Sequence, residues 1–448
     1  MKQSHQNNKK IVRTPAEMKA EALKESKRVY REIKAPVHSK YVNIDFLDKI
    51  GETAVYYGFS PARSPAIEKS DLDAAKDIIE DDFVDDETER HGRLPLRVEE
   101  KIALVRKYES DDWASKPQPV MIYLKDPCRL PAGKQASAIK KNTCHRYADL
   151  EILGASGPIA EATLIQAGRA MLSEEGYATT RVEINSVGDR ESMTRWSREL
   201  TAFYRKNINE MTAECRQLFK EDPFLLLTSH DSAAKTLNEH APRSMDFLSE
   251  ESRRHLEEVL EYLETLQVPY SINNSLIGNR SYCTETIFVI VNADTAAPKA
   301  DQHILAVGVR YNGLSKRLGM KKDIQGVGLS LTIKGNGHGM REIVKRMKRP
   351  IASFVQLGIE SKLLSLDIVE KLRQAKIPLY LSLAKDRLGA QVSTIEKYHT
   401  PYVIVIGKKE AMDKTAIVRH VETYSQETVS IEKLSDYMKK AERDFWAK

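Results

Sequence analysis

The chain has 448 residues, 41% of them hydrophobic and 30% charged, with a formal net charge of +6. That length exceeds what one compact core organises and implies two or three domains. No apolar run is long enough to cross a bilayer and the start, MKQSHQNNKK, is polar and basic, so the composition argues against a membrane or secreted class and predicts a cytoplasmic protein.

Residues 1–40 carry few large apolar side chains and are expected to form a basic arm. The stretch YVNIDFLDKIGETAVYYGF then reads as a helix ending near Gly58, followed by a strand running into Pro65. Ile44, Phe46, Leu47, Ile50, Val55 and Tyr56 are too many apolar positions for a one-sided helix, which predicts a homodimer contact there. From Asp71 to Arg90 there are ten acids against two bases, a segment expected to be a loop.

A helix in RVEEKIALVRKYE, strands in PVMIYL and ADLEILG, a long helix from Ile159 and a strand in TTRVEINSVGD closed by Gly188 come next. Three helical stretches follow, up to Leu266, and then strands in ETIFVIV, HILAVGVRY and GVGLSLTI. Strands joined by hairpins or long polar links, without regular helical crossovers, predict an α+β unit around an antiparallel sheet. Beyond Pro350 strands and helices alternate, which predicts a separate small α/β domain, so that the chain divides into 1–40, 41–349 and 350–448.

From Arg310 to Arg349 there are eleven Lys or Arg against two acids, a charge balance suited to phosphate. REIVKRMKR is expected to be a helix carrying Arg341, Lys345, Lys348 and Arg349 as a positive ridge. Lys408, Lys409 and Arg419 are expected at loop or strand ends where an RNA backbone could be met, and His420 could stack on a base. Cys128, Cys144, Cys215 and Cys283 lack paired spacing, so free thiols are expected, with neither a disulfide framework nor a bound metal.

Taken in order, LRVEEKIALVR, LEILGASGPIAEATLI, VEINSVGDRESMTRW, SLIGNRSYCTETIF and VGVRYNGLSKRLG resemble successive segments of class II aminoacyl-tRNA synthetases, most closely histidyl-tRNA synthetase. The last domain resembles the anticodon-binding domain of that group. The resemblance implies a class II antiparallel core, tRNA as a partner, a homodimer, and Glu99 and Glu151 as acceptors for the α-amino group of histidine, with Tyr282 lining the substrate site. It also exposes departures. The family's catalytic Arg falls on Gly278 and its Asp-Tyr-Tyr on Ser281, Tyr282 and Cys283. The second motif keeps Arg129 but has Pro131 in place of a Glu, and the third places Lys334 and Gly335 where the family has Glu-Arg. Arg129 and Arg280 are then the candidate catalytic cations, with Arg129 and Lys334 as candidate nucleotide contacts. Loss of cations at two elements suggests a retired histidine site that needs no cofactor. The alternatives are a divergent active ligase, which would use ATP and Mg2+, and an accessory subunit that binds a protein partner.

Overall fold

The computed structural model describes residues 40–44, 47–78, 98–125, 145–293, 304–334, 345–381, 388–396 and 398–447. The basic arm, Arg129 and the rest of its motif, and Arg341 lie outside these residues.

In chain order the elements are β1 (Tyr41–Ile44), α1 (Lys49–Tyr56), β2 (Ser60–Ala62), α2 (Lys69–Ile78), α3 (Val98–Ser110), β3 (Val120–Leu124), β4 (His145–Leu153), α4 (Ile159–Glu174) and β5 (Thr180–Gly188). Then come α5 (Arg190–Lys206), α6 (Ala213–Glu221), α7 (Phe224–Leu227), α8 (Ser232–Asn238), α9 (Glu250–Thr265), β6 (Tyr270–Ile272), β7 (Thr284–Asn292), β8 (Ile304–Arg310), α10 (Leu314–Arg317), β9 (Gly326–Lys334) and β10 (Lys345–Lys348). The last part holds β11 (Ala352–Gln356), α11 (Ile359–Gln374), β12 (Leu379–Leu381), α12 (Leu388–Glu396), β13 (Tyr402–Ile406), α13 (Lys408–Met412), β14 (Thr415–His420), β15 (Gln426–Ser430) and α14 (Ile431–Trp446).

An eight-stranded sheet in the order β2-β3-β4-β9-β8-β7-β5-β6 forms the first core. It is antiparallel from β3 through β5, as the strand spacing predicts, but both outermost pairs, β2 with β3 and β5 with β6, are parallel. Alternation along each strand splits the apolar residues between two layers. On β7, Ile287, Val289 and Val291 pack toward α3 and α5, while Phe288 and Ile290 pack toward α4 and α9.

The five-stranded sheet, β12-β11-β13-β14-β15, is parallel around β11 and antiparallel beyond β13. Its core continues into Ile159, Ala162 and Tyr262 of α4 and α9. Polar bonds reinforce this join: the Tyr57 hydroxyl donates to Glu370, Arg373 pairs with the same Glu370 at 2.7 Å, and Gln166 donates to the Leu366 carbonyl at 3.1 Å.

Four local readings are corrected. REIVKRMKR does not continue as a helix to its end: Lys345–Lys348 is a strand paired antiparallel with Tyr41–Ile44, so the ridge at spacings of three and four does not exist over Lys345, Lys348 and Arg349. A strand needs a partner edge, and that edge lies some 300 residues away in the sequence. For the same reason the expected helix at Tyr41 begins only at Lys49, where the Asp48 carboxylate accepts from the Gly51 amide at 2.7 Å. Leu47, Ile50 and Tyr56 are buried within the chain itself. The acidic run starts as helix α2, with Asp71 buried and bonded to Arg106 at 2.9 and 3.0 Å.

Between Arg190 and Thr265 there are five α-helices instead of three helical stretches, because Thr212, Asp231 and Ser249 each cap a new N-terminus. Within this part of the fold, Arg310 on β8 is fully buried and grips Glu161 of α4 with two bonds of 2.6 Å. Nη1 donates to the Ala155 carbonyl at 2.9 Å, Nη2 also reaches the Gly157 carbonyl at 3.3 Å, and His255 Nε2 lies 2.9 Å from Glu161. Burial alone would raise the Glu161 carboxyl, but Arg310 and then His255 outweigh it and hold it at about 2.

A folded value below the unfolded one means that the contribution to stability is present above the unfolded carboxylate range and fades as pH falls toward 2. Glu161→Gln should therefore lower stability at pH 7 and flatten its decline between about pH 5 and 2. Urea unfolding across that range reads the slope, and an unchanged slope would contradict the assignment.

Candidate functional site

The residues matched to the family's substrate site converge where α3 crosses β4 and β9. On β4, Asp149, Glu151 and Leu153 face α3 while Ala148, Leu150 and Ile152 face the opposite layer, so strand alternation alone aims Glu151 at this helix. Glu151 is 1% exposed. Its neighbour in register on β9 is Gly328, where a Cβ would sit 2.3 Å from Glu151 Oε2. Two residues earlier, a Cβ on Gly326 would sit 2.3 Å from the Tyr311 ring. Alternate glycines on one strand face thus make room for a ring and a carboxylate side by side.

Both oxygens of Glu151 are engaged by the chain itself. The Lys101 ammonium bonds to Oε1, and the Tyr311 hydroxyl donates to Oε2 at 2.7 Å. Lys101 is 4% exposed, and its ammonium also stands 5.7 Å from the Tyr311 ring centroid. Burial would pull the Lys101 ammonium down, but the Glu151 charge, with Asp149 behind it, carries it above the ordinary lysine value. Burial and the Glu151 charge both push the Tyr311 hydroxyl well up, so it stays protonated and donates. This is a closed, charge-balanced trio.

The Lys101 position was legible but overlooked. Val98, Lys101, Ile102 and Val105 share one face of α3, and all four are buried. A lysine in an apolar stripe requires a buried carboxylate. Glu99, in the first turn of the same helix, is half-buried and raises the Tyr282 hydroxyl, although burial and Cys283 contribute more. Glu99, Glu151 and Tyr282 are therefore brought into one region.

The segment before β7 is arranged differently from expectation. Gly278 has φ +63°, and a Cβ there would come within 2.9 Å of Ile287 and 3.1 Å of the Cys283 sulfur. Asn279 organises the turn, its carbonyl accepting from the Cys283 amide at 2.8 Å and its side chain from the Ser281 amide at 2.8 Å. Cys283 is buried, which pushes its thiol to about 12 and makes it unreactive. Arg280 lies ahead of the strand, not on its face. It is bonded to Asp222 at 2.5 Å and stacked 4.2 Å from the Phe224 centroid, whereas Glu151 is held by Lys101 and Tyr311.

The candidate RNA contacts are dispersed. Lys348 pairs with Glu442 at 2.8 Å, and Arg349 follows β10, its amide bonded to the Lys40 carbonyl. Lys345 opens that strand, and Lys334 ends β9 opposite His145. Lys408 and Lys409 are exposed at the start of α13, with Lys408 3.0 Å from Glu360. Arg419 lies on β14 with its guanidinium 5.5 Å from the Tyr424 ring centroid, and His420 packs edge-on against Tyr402 at 4.9 Å. Among the described residues no His, Cys, Asp or Glu cluster could hold a metal.

Residues 355–441 match the family model of the anticodon binding domain. The chain is 26% identical over 414 residues to the histidine–tRNA ligase of Symbiobacterium thermophilum, covering 87% of this chain and 92% of that protein. It is 27% identical over 398 residues to histidine–tRNA ligase 1 of Shouchella clausii, covering 86% and 92%. This is a histidyl-tRNA synthetase-like chain. Apo histidyl-tRNA synthetase of S. aureus superposes over 97% of this chain and 99% of its own, at a TM-score of 0.46 and 21% identity.

Two stability outcomes follow from the trio and the glycine. Lys101→Met should destabilise by about 3–5 kcal/mol by leaving Glu151 buried and unpaired, and adding Glu151→Gln should recover part of that loss. Gly278→Ala should lose about 1–3 kcal/mol through its left-handed backbone and tight surroundings. Denaturant melts of the parent, the three variants and Glu151→Gln alone measure both, and additive effects of the Lys101 and Glu151 changes would deny their coupling.

Proposed function

We propose that this histidyl-tRNA synthetase-like chain has lost efficient histidine activation and retains a tRNA- or RNA-binding role. The observation that carries the reading is the Lys101 ammonium on Glu151. Where the matched family segment reads Leu-Arg-Pro-Glu-Gly-Thr, this chain has Leu96 to Lys101, so the lysine stands in the place of the threonine. An α-amino group seeking Glu151 would have to displace an ammonium already tethered there, whose local concentration no free amino acid matches.

The cations needed around the α-phosphate of ATP are weakened in the same direction. Gly278 stands at the matched arginine position and has neither the side chain nor the space for one. Arg280, the candidate substitute, is drawn instead to Asp222 and Phe224, on the side of α5. Arg310, the other buried cation of this sheet, is committed to Glu161. Removing one charge-stabilising donor typically costs a hundredfold or more in rate, and these changes act together. ATP and Mg2+ would be required only if activation persisted.

The RNA-binding part of the proposal rests on residues 350–448, within which the anticodon binding domain match falls. Residues 41–349 would serve as the scaffold that carries it. Lys408 and Lys409, exposed side by side at the start of α13, are the cations best placed to meet a phosphate backbone.

Histidine-dependent pyrophosphate exchange by the purified protein should stay at background, and Gly278→Arg should not restore it. Exchange at a rate ordinary for a synthetase would overturn the reading. Lys101→Thr should uncover Glu151, so calorimetry should detect histidine binding to this variant and none to the parent.

Filter binding of total tRNA should weaken steeply from low to moderate salt, and Lys408→Glu with Lys409→Glu should reduce affinity by about tenfold or more. Salt-insensitive binding, equal in both proteins, would leave a protein partner as the better reading.

A further inference from the structure

A concavity lies along the outer face of α5, on the side of Arg280. Thr194, Ser197, Arg198, Thr201 and Arg205 line it from the helix, with Met193 and Ala202 as its apolar members, and Arg280 reaches in from the segment before β7. It encloses about 550 Å³. We propose that this groove binds a chain of linked phosphates, as in an inorganic oligophosphate or the phosphate tail of a nucleotide.

The amphipathic order of α5 builds the groove. Ser192, Trp196, Leu200 and Tyr204 are buried against the core, which turns the 194-198-201-205 series outward. Arg198 and Arg205 lie seven residues apart on that face, a rise of roughly 10 Å along a helix. That separation suits several consecutive phosphate units better than one tetrahedral anion. Thr201 falls between the two arginines along the helix, and Ser197 lies one turn before it.

The available donors fit the same ligand. Thr194 and Thr201 already donate to helix carbonyls, at 2.8 and 2.7 Å, but the Ser197 hydroxyl has no partner among the described residues. Arg205 is likewise without an ion pair among the described residues, and Arg198 meets only its exposed neighbour Glu199 at 3.0 Å. Arg280 gives one nitrogen to Asp222 and lays its plane on Phe224, which leaves other edge N–H groups of its five for an anion. Glu199 and Asp222 are the acids bonded to these arginines, so three guanidinium groups face two carboxylates. No aromatic ring is among the lining residues, which favours phosphate over base recognition.

The groove also has an internal reporter. Phe224 lies between Arg280 and Trp196, with the Trp196 ring 4.9 Å from Phe224, so an anion drawn to Arg280 should alter the indole emission.

The test is calorimetric titration of the full chain with sodium tripolyphosphate at low salt, with Trp emission followed in parallel. The parent should bind with an affinity that falls as salt rises, and Arg198→Ala with Arg205→Ala should weaken binding by about tenfold or more. Both arginines are exposed, so the variant should melt like the parent, and Lys439→Ala with Lys440→Ala on α14 serves as the charge-matched control with unchanged binding. Equal binding by the groove variant and the parent, or no binding by the parent at millimolar tripolyphosphate, overturns the proposal. So does a result in which an RNA hairpin binds in a groove-dependent way while tripolyphosphate does not, because the groove would then read a nucleic-acid backbone.

Discussion

The structure depends on burying two carboxylates on opposite faces of one sheet. Glu151 faces α3, Glu161 comes from α4 on the other side, and the adjacent residues Arg310 and Tyr311 serve one each. Strand alternation makes this division possible, since neighbours in an extended chain point to opposite faces. A buried charge left alone would cost several kcal/mol, so helices, strands and loop carbonyls must arrive in register for either carboxylate to be tolerated. The order β4-β9-β8 at the centre of the sheet is the topology that brings them there.

The same arrangement connects fold to function. A synthetase site needs a carboxylate held open for a substrate ammonium, whereas here the ammonium is supplied from α3 and sealed under Tyr311. Lys101 takes one Glu151 oxygen and Tyr311 the other. Gly278 adds a second closure, because its left-handed turn packs Cys283 and Ile287 where a long side chain would have to start. Arg198 and Arg205 on α5 and Lys408 and Lys409 on the first turn of α13 are exposed cations outside this centre.

Much of the architecture was legible because periodicity is a local property. The long helix from Ile159, the strand ending at Gly188 and the alternation of strands and helices after Pro350 all follow from spacing within one window. Lys345–Lys348 was not legible, since its residues suit a basic helix and become a strand only by pairing with Tyr41–Ile44. The site was legible by halves. Burial of Glu151 follows from its place on an apolar strand, while Arg280 could be placed only once Asp222 and Phe224, more than fifty residues earlier, had been packed beside it.

The sequence by itself determined which chemical groups exist: a glycine where the resemblance places a cation, a lysine on the apolar stripe of a helix, a carboxylate on an apolar strand and two glycines spaced to face the same way. It could do so because composition and period need no partner. Only the tertiary structure decided that Lys101 meets Glu151, that Arg310 and Tyr311 part to opposite faces, and that Arg280 turns to Asp222. Those pairings join segments 50 to about 160 residues apart. Ion pairing in a buried setting is selected by distance and desolvation in three dimensions, and neither is a function of position along the chain.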